Sequence, residues 1–107
     1  METTTATATD LTVANTILEQ LGGRMFIAMT GARAFVGGAD FLLFQLPSKA
    51  RDGSNKVRIT LTPMDVYTIE TFHVRGTTFR ACSTVEDVYC DSLRRIFTSV
   101  TGLEVSL

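Results

Sequence analysis

The stretch that decides the fold is residues 56–62, KVRITLT, in which polar and apolar side chains alternate without interruption. Successive side chains of a β-strand point to opposite faces, so Val57, Ile59 and Leu61 share one face. Such alternation is typical of a strand with one face on a hydrophobic core and the other in solvent. The sequence therefore predicts an antiparallel sheet whose polar face carries Lys56.

Further strands are predicted on both sides of this one. Residues 41–46, FLLFQL, form an apolar run closed by Pro47, and residues 66–74, VYTIETFHV, are rich in β-branched and aromatic side chains. The apolar run MFIAM at 25–29 suits a buried strand, whereas the glycine-rich residues 31–40 are interpreted as an irregular connection. Short connections favour pairing of the strands in sequence order.

Amphipathic patterns near both ends predict two helices. Apolar residues recur at three- and four-residue steps over residues 11–21, after a capping residue at Asp10 or Thr12. Residues 83–86, STVE, have the spacing of a capping box, so the second helix is expected to begin there and to end at Gly102.

These patterns together predict an α+β fold in two layers. It consists of an antiparallel β-meander of about four strands, with an N-terminal and a C-terminal helix on one face, in the order α-β-β-β-β-α. Residues 1–9 are rich in threonine and carry no large apolar side chain after Met1, so we expect a disordered tail. A single α+β domain is expected over residues 10–107.

Composition excludes several classes of protein. The chain has 107 residues, 10 of them Lys or Arg and 11 Asp or Glu, with a net charge of −1. Balanced charge argues against a strongly basic clamp for nucleic acid. No apolar run reaches the roughly 18 residues of a membrane-spanning helix. The first residues lack the pattern of a secretory signal. We therefore expect a cytoplasmic protein that does not contact a membrane.

No residues stand out in a pattern typical of catalysis or metal binding. His73 is the only histidine, and no serine lies in a Gly-x-Ser-x-Gly motif. Cys82 and Cys90 are too far apart for a zinc-binding pair and are expected to be free thiols, although the sequence leaves a disulfide between them open. The glycines of residues 31–38 lack the Lys-Ser/Thr that follows a phosphate-binding loop. We expect a non-catalytic protein without a cofactor or a metal ion.

Basic side chains concentrate in residues 24–58, which hold six basic and two acidic residues, a local net charge of +4. Such a segment could contact phosphates or an acidic protein surface. The same charges could equally solvate a sheet face and protect its edge, and the sequence leaves this alternative open. The predicted binding residues are Arg33, Lys49, Arg51, Lys56 and Arg58.

Four stretches together resemble a widespread family of small hypothetical proteins encoded by phages and mobile elements. They are ANTILEQLGGRMFIAMTGA at 14–32, VRITLTPMDVY at 57–67, VYCDSL at 88–93 and the ending at 97–107. The resemblance implies a small accessory protein of a bacterial cytoplasm. By association, it also implies binding to host defence complexes.

Three functions follow as hypotheses. The preferred one is a non-catalytic protein that inhibits or modulates a host nucleic-acid-handling defence complex, as anti-CRISPR proteins do, through the sheet face and the loop at 47–56. Its partner would be a host protein or a protein–nucleic-acid complex. The alternatives are direct binding of nucleic acid by the basic segment 24–58, and an enzyme or small-ligand binder built around His73 and the glycine-rich loop 31–38.

A homodimer is a further expectation. A meander leaves two sheet edges unpaired, and either edge could associate with a second copy. The apolar tail of Leu103, Val105 and Leu107 offers another contact surface.

Overall fold

The structure, a computed structural model, describes residues 11–47 and 50–103. These residues form an α+β fold of two layers, as the sequence predicts. The helices are α1 (Thr12–Leu21), α2 (Arg24–Thr30) and α3 (Leu93–Thr101), with a 3₁₀ turn at Cys90–Ser92 before α3. The strands are β1 (Arg33–Gly37), β2 (Phe41–Gln45), β3 (Lys56–Leu61), β4 (Tyr67–Arg75) and β5 (Thr78–Val88). The predicted tail at residues 1–9 and the candidate cap Asp10 lie outside the described residues.

The strands form one antiparallel sheet in the order β1-β2-β3-β4-β5. The meander is thus confirmed, but it has five strands rather than the predicted four. β3 is the central strand, and its predicted alternation is confirmed, since Val57 and Ile59 are fully buried while Arg58 between them is exposed. Across the sheet, Arg58 lies opposite Leu43 of β2 and Glu70 of β4.

The hydrophobic core lies between this sheet and the helices. Phe26 of α2, Phe44 of β2 and Phe97 of α3 are fully buried, with ring centroids 5.3, 5.4 and 6.1 Å apart. Ile17 and Leu21 of α1 belong to the same buried cluster. All three helices therefore cover one face of the sheet, which places the N- and C-terminal helices as predicted.

No helix among residues 11–47 and 50–103 covers the opposite sheet face, which we call the open face. The strand register and the alternation of side chains define its members. They include Arg33, Val36, Leu43, Gln45, Lys56, Arg58, Glu70, Phe72 and Phe79.

Two predictions near the N-terminal helix are wrong. The apolar run at 25–29 lies in helix α2, and a strand, β1, occupies part of the glycine-rich segment 31–40. A short apolar run does not by itself distinguish a strand from a buried helix. Within α2 only Phe26 and Thr30, four residues apart, are buried, which is the spacing of one helical face.

The predicted capping box at residues 83–86 is also wrong, because these residues belong to strand β5. Val85 pairs with Ile69 of β4, and the Ser83 hydroxyl donates to the Asp52 carboxylate instead of capping a helix. Helix α3 begins ten residues later, at Leu93, and ends as predicted with Gly102 in the left-handed conformation. The sequence pattern could not show that an acceptor from a distant loop would engage Ser83.

Both edges of the sheet are irregular. The register of β1 shifts around Ala34, which has a φ of +57°, and that of β5 shifts twice, with Asp87 at a φ of +58°. Bulges of this kind disturb the row of free backbone groups to which another strand could pair. They disfavour a dimer through a sheet edge, although the predicted homodimer itself stays a prediction. Val105 and Leu107 of the alternative dimer surface lie outside the described residues.

The aromatic cluster predicts the effect of truncating Phe97. We expect Phe97→Ala to lower the free energy of unfolding by about 3–5 kcal/mol, because the cavity would remove contacts from both layers. Urea denaturation followed by circular dichroism measures this change. The control is Met64→Ala, at a side chain 81% exposed, which should change the free energy of unfolding by less than about 0.5 kcal/mol. Similar effects of the two variants would contradict the described core.

Candidate functional site

The loop between β2 and β3 is held by one carboxylate, that of Asp52. Its Oδ1 accepts hydrogen bonds from the backbone N–H of Ser54, at 3.1 Å, and from the Ser54 hydroxyl, at 2.6 Å. Its Oδ2 accepts from the hydroxyls of Thr71 in β4 and Ser83 in β5, the latter at 2.8 Å. The side chain of Asp52 thus ties the loop to two strands that follow it in the sequence.

These hydrogen bonds set the charge state of Asp52. Burial acts to raise the pKa of this carboxyl, but the hydrogen bonds from Ser54, Thr71 and Ser83 outweigh it and hold the pKa below its ordinary value of 3.8. Asp52 is therefore ionised at neutral pH, as an acceptor of several hydrogen bonds must be.

The same loop packs against the end of α3 through Arg51. The backbone N–H of Arg51 donates to the carbonyl oxygen of Thr101 at 2.6 Å, and its Nη1 lies 3.4 Å from the carbonyl oxygen of Ser99. A cation at a helix C-terminus interacts favourably with the exposed carbonyls and the helix dipole. Arg51, predicted as a binding residue, is thus placed on the helix side of the molecule.

A cleft opens beside this loop, where β3 begins and β4 ends. Its volume is about 290 Å³. Its lining residues are Arg33, Gln45, Leu46, Pro47, Asn55, Lys56, His73 and Val74. We call it the cationic cleft, because Arg33 and Lys56 line it and none of its lining residues is acidic.

Hydrogen bonds fix the walls of the cationic cleft. The side-chain amide of Asn55 donates to the carbonyl oxygen of Val74 at 2.9 Å and accepts from the Val74 N–H at 2.8 Å. Nδ1 of His73 lies 3.1 Å from the carbonyl oxygen of Gly53. Because a carbonyl only accepts, Nδ1 carries the proton, and the second nitrogen of a neutral His73 is the acceptor. These hydrogen bonds therefore connect the walls of the cleft to the loop before β3 and to the end of β4.

The basic residues of the open face differ in their partners. Arg58 pairs with Glu70 at 3.4 Å, and its guanidinium carbon lies 5.9 Å from the centroid of the Phe41 ring. Arg33 and Lys56 have no ion pair with any residue in 11–47 or 50–103. Among the basic residues named on the open face, these two side chains are therefore available to an external anion.

The five predicted binding residues therefore separate into groups. Arg33 and Lys56 share the cationic cleft, and Arg58 lies on the same face with its charge compensated by Glu70. Arg51 lies on the opposite side, and Lys49 is outside the described residues. The basic segment 24–58 is continuous in the sequence but does not form one basic surface in its described part.

Sequence reasoning missed several residues around the cleft. Gln45 and Asn55 carried no signal of their own, because only the strand register brings them beside Lys56. Arg75 and Arg80 are exposed near the tip of the β4–β5 hairpin, at the same end of the sheet. The predicted strand at 66–74 places His73 near its end, and a reliable register would have located it.

Apolar side chains extend the open face beyond the cleft. Phe79 is 63% exposed and Val36 is 52% exposed. The Phe79 ring lies 4.7 Å from the half-buried ring of Phe72, which is directly opposite Lys56 in the sheet. This arrangement combines aromatic surface with a free cation.

The remaining reactive groups are dispersed. Cys82 is half-buried, Cys90 is exposed, and no three His, Cys, Asp or Glu side chains of the described residues are grouped as metal ligands would be. Within the described chain, no hydroxyl or thiol forms a hydrogen bond with His73.

A second cleft, of about 260 Å³, lies between α1 and the start of β4. The Tyr67 hydroxyl lines this cleft, and burial raises its pKa. Cys90 and Asp65 also raise the pKa of Tyr67, whereas a hydrogen bond from Gln20 lowers it. Oε1 of Gln20 is buried and accepts no hydrogen bond from the part of the chain that the structure describes.

No family model, curated protein or solved structure matches this chain. Within the described ranges, no helix has the length and apolar character needed to cross a membrane.

The hydrogen bonds of Asp52 predict the pH dependence of stability. Because folding lowers the pKa of Asp52, its ionised carboxylate stabilises the folded state fully above pH 3.8, the ordinary pKa. This stabilisation is lost as the pH falls through the pKa of Asp52 in the folded state. We expect Asp52→Asn to lower the free energy of unfolding by about 1–3 kcal/mol at neutral pH, because an amide cannot accept all of these hydrogen bonds. This loss in the free energy of unfolding should become smaller in acid, where Asp52 of the original chain is itself protonated.

Urea denaturation at neutral pH and below pH 3.8 measures both effects. Asp40→Asn is the matched control, because Asp40 is an exposed aspartate that makes no side-chain hydrogen bond within the described residues. A deficit that is equal for the two variants, or independent of pH, would contradict the role given to Asp52.

Proposed function

We propose that this chain is a non-catalytic binding protein that docks on an acidic surface of a partner protein through the open face of its sheet. The observation that carries the proposal is the combination of Arg33 and Lys56, which have no counter-ion among the described residues, with the exposed apolar side chains of Val36 and Phe79 on one uncovered face.

The composition of this face suits a protein partner. Interfaces between proteins are enriched in aromatic residues and arginine, and a few residues of these types contribute most of the binding energy. Positive side chains at one end would orient an acidic partner and speed its association. The strands fix the positions of these side chains, so binding would require little ordering of the backbone.

The resemblance to phage-encoded proteins supports a host protein as the partner. We propose a component of a nucleic-acid-handling defence complex in the bacterial cytoplasm, which this chain would inhibit or modulate. Of the surfaces that such a partner offers, only an acidic one would complement Arg33 and Lys56.

The docking proposal predicts the effect of reversing two charges. We expect Arg33→Glu combined with Lys56→Glu to weaken binding to the purified partner at least about tenfold, and Phe79→Ala to do the same by removing apolar contact. A partner would first be captured from nuclease-treated host lysate and then purified, and its affinity measured by biolayer interferometry.

The matched control is Arg94→Glu combined with Arg95→Glu, which reverses two exposed charges on α3 in the other layer. These variants should bind like the original chain. Equal affinity of the open-face variants and the original chain would refute the docking surface.

Direct binding of single-stranded nucleic acid is the second candidate, and the position of Lys56 favours it. Lys56 lies directly opposite Phe72, whose ring contacts Phe79. Proteins that bind single strands combine such stacking rings with cations that track the phosphates.

This candidate predicts a measurable salt dependence. With about two phosphates neutralised by Arg33 and Lys56, the logarithm of the affinity should fall with the logarithm of the salt concentration with a slope near −1.4. Fluorescence anisotropy of labelled oligothymidine and oligouridine measures it. No binding at low salt would eliminate the candidate and leave the protein partner.

A further inference from the structure

The cationic cleft has a more specific chemistry than the open face around it. We propose that it binds the phosphate group of a small phosphorylated molecule, of the class of nucleoside monophosphates, between Arg33 and Lys56. This inference goes beyond docking on a protein, since it requires no partner.

The first support is the charge balance of the cleft. Arg33 and Lys56 both line it, neither forms an ion pair within the described residues, and no lining residue is acidic. Lys56 is half-buried. Arg33 is exposed, and two positive charges that line one cleft repel each other unless an anion lies between them. A bound phosphate would supply that anion.

The second support is the spacing of the donors. Arg33 lies opposite Gln45, and Gln45 lies opposite Lys56, so the three residues form a row across β1, β2 and β3. Neighbouring strands are about 4.8 Å apart, which separates the two cations by about 10 Å at their Cα atoms. Both side chains are long enough to reach one oxyanion between them, where the Gln45 amide could add a donor.

This donor set favours phosphate over a carboxylate. The guanidinium of arginine matches two phosphate oxygens at once, and an ammonium group can hold a third oxygen. A phosphate monoester also carries nearly two negative charges at neutral pH, which matches two cations. A carboxylate offers one charge and two oxygens, and would leave one cation without a partner.

The third support is the shape of the rest of the cleft. Pro47 and Val74 provide an apolar wall beside the two cations, whereas Leu46 is only 4% exposed. The volume of about 290 Å³ lies just below the range of roughly 300–1,000 Å³ that is typical of small-molecule sites. Gln45, Asn55 and His73 make the rest of the lining polar. The cleft therefore suits a ligand with one phosphate and a compact body that carries both polar groups and an apolar or aromatic face, as a nucleoside does.

Isothermal titration calorimetry of the full chain tests the proposal. The probes are inorganic phosphate, adenosine 5′-monophosphate, adenosine and acetate, all at one constant ionic strength. We expect the monophosphate to bind most tightly, phosphate more weakly, and acetate and adenosine weakest. Arg33→Gln and Lys56→Gln should each weaken the binding of the monophosphate at least about tenfold.

The matched control is Arg94→Gln, at an exposed arginine of α3, which should leave affinity unchanged. Absence of heat with phosphate and with the monophosphate would overturn the proposal, as would equal affinity for acetate. Equal binding of phosphate and the monophosphate would overturn the role of the apolar wall. None of these results depends on a protein partner, so failure here is distinct from failure of the docking proposal.

Discussion

The hydrogen bonds to the Asp52 carboxylate are the constraint on which the functional end of this molecule depends. They join the loop before β3 to Thr71 and Ser83, which lie in β4 and β5. Loops lose considerable conformational entropy when they are fixed in one arrangement. Here several charge-assisted hydrogen bonds, which are stronger than neutral ones, offset that loss. In the fixed loop, the Gly53 carbonyl accepts a hydrogen bond from Nδ1 of His73, and the Asn55 side chain forms a hydrogen bond with the Val74 backbone.

The residues that stabilise the fold lie between the two layers, and the residues proposed to bind lie on the open face of the sheet. The helices and the inner sheet face bury the aromatic cluster of Phe26, Phe44 and Phe97, which needs no exposed residue for its packing. The open face is consequently free to carry charged and aromatic side chains. Arg58 and Glu70 compensate each other there, while Arg33 and Lys56 do not have such a partner within the described chain. An anionic ligand or surface would complete this charge pattern.

The sequence predicts the two-layer arrangement of helices and sheet better than it predicts which side chains share the cationic cleft. The alternation around Val57 and Ile59 is a local signal, and it correctly identifies the strand and its buried face. The run around Phe26 was mistaken for a strand because a seven-residue helix is too short to show a clear period. Ser83 was mistaken for a helix cap because its acceptor, Asp52, is 31 residues away in the sequence.

Contacts between residues distant in the sequence also limit what can be predicted of the candidate site. Lys56 and Arg33 carried a visible charge signal, but their common cleft depends on strand register, which hydrophobic patterns specify only by face. Arg51 had the same charge signal and yet contacts the end of α3, because its position follows from the path of the loop. A concentration of charge in the sequence therefore indicates candidate binding residues, and tertiary contacts determine which of these residues share a surface.

The central claim is that the register of β1, β2 and β3 places Arg33 and Lys56 in one cleft, beside the loop held by Asp52, and that this cleft accepts an anion. Amide chemical shifts of the ¹⁵N-labelled chain during titration with inorganic phosphate test this most directly. The account predicts that the largest shift changes occur at Arg33, Gln45 and Lys56, and that they are lost when Arg33→Gln is combined with Lys56→Gln. Changes centred on the α3 arginines, or uniform small changes over the whole chain, would contradict it.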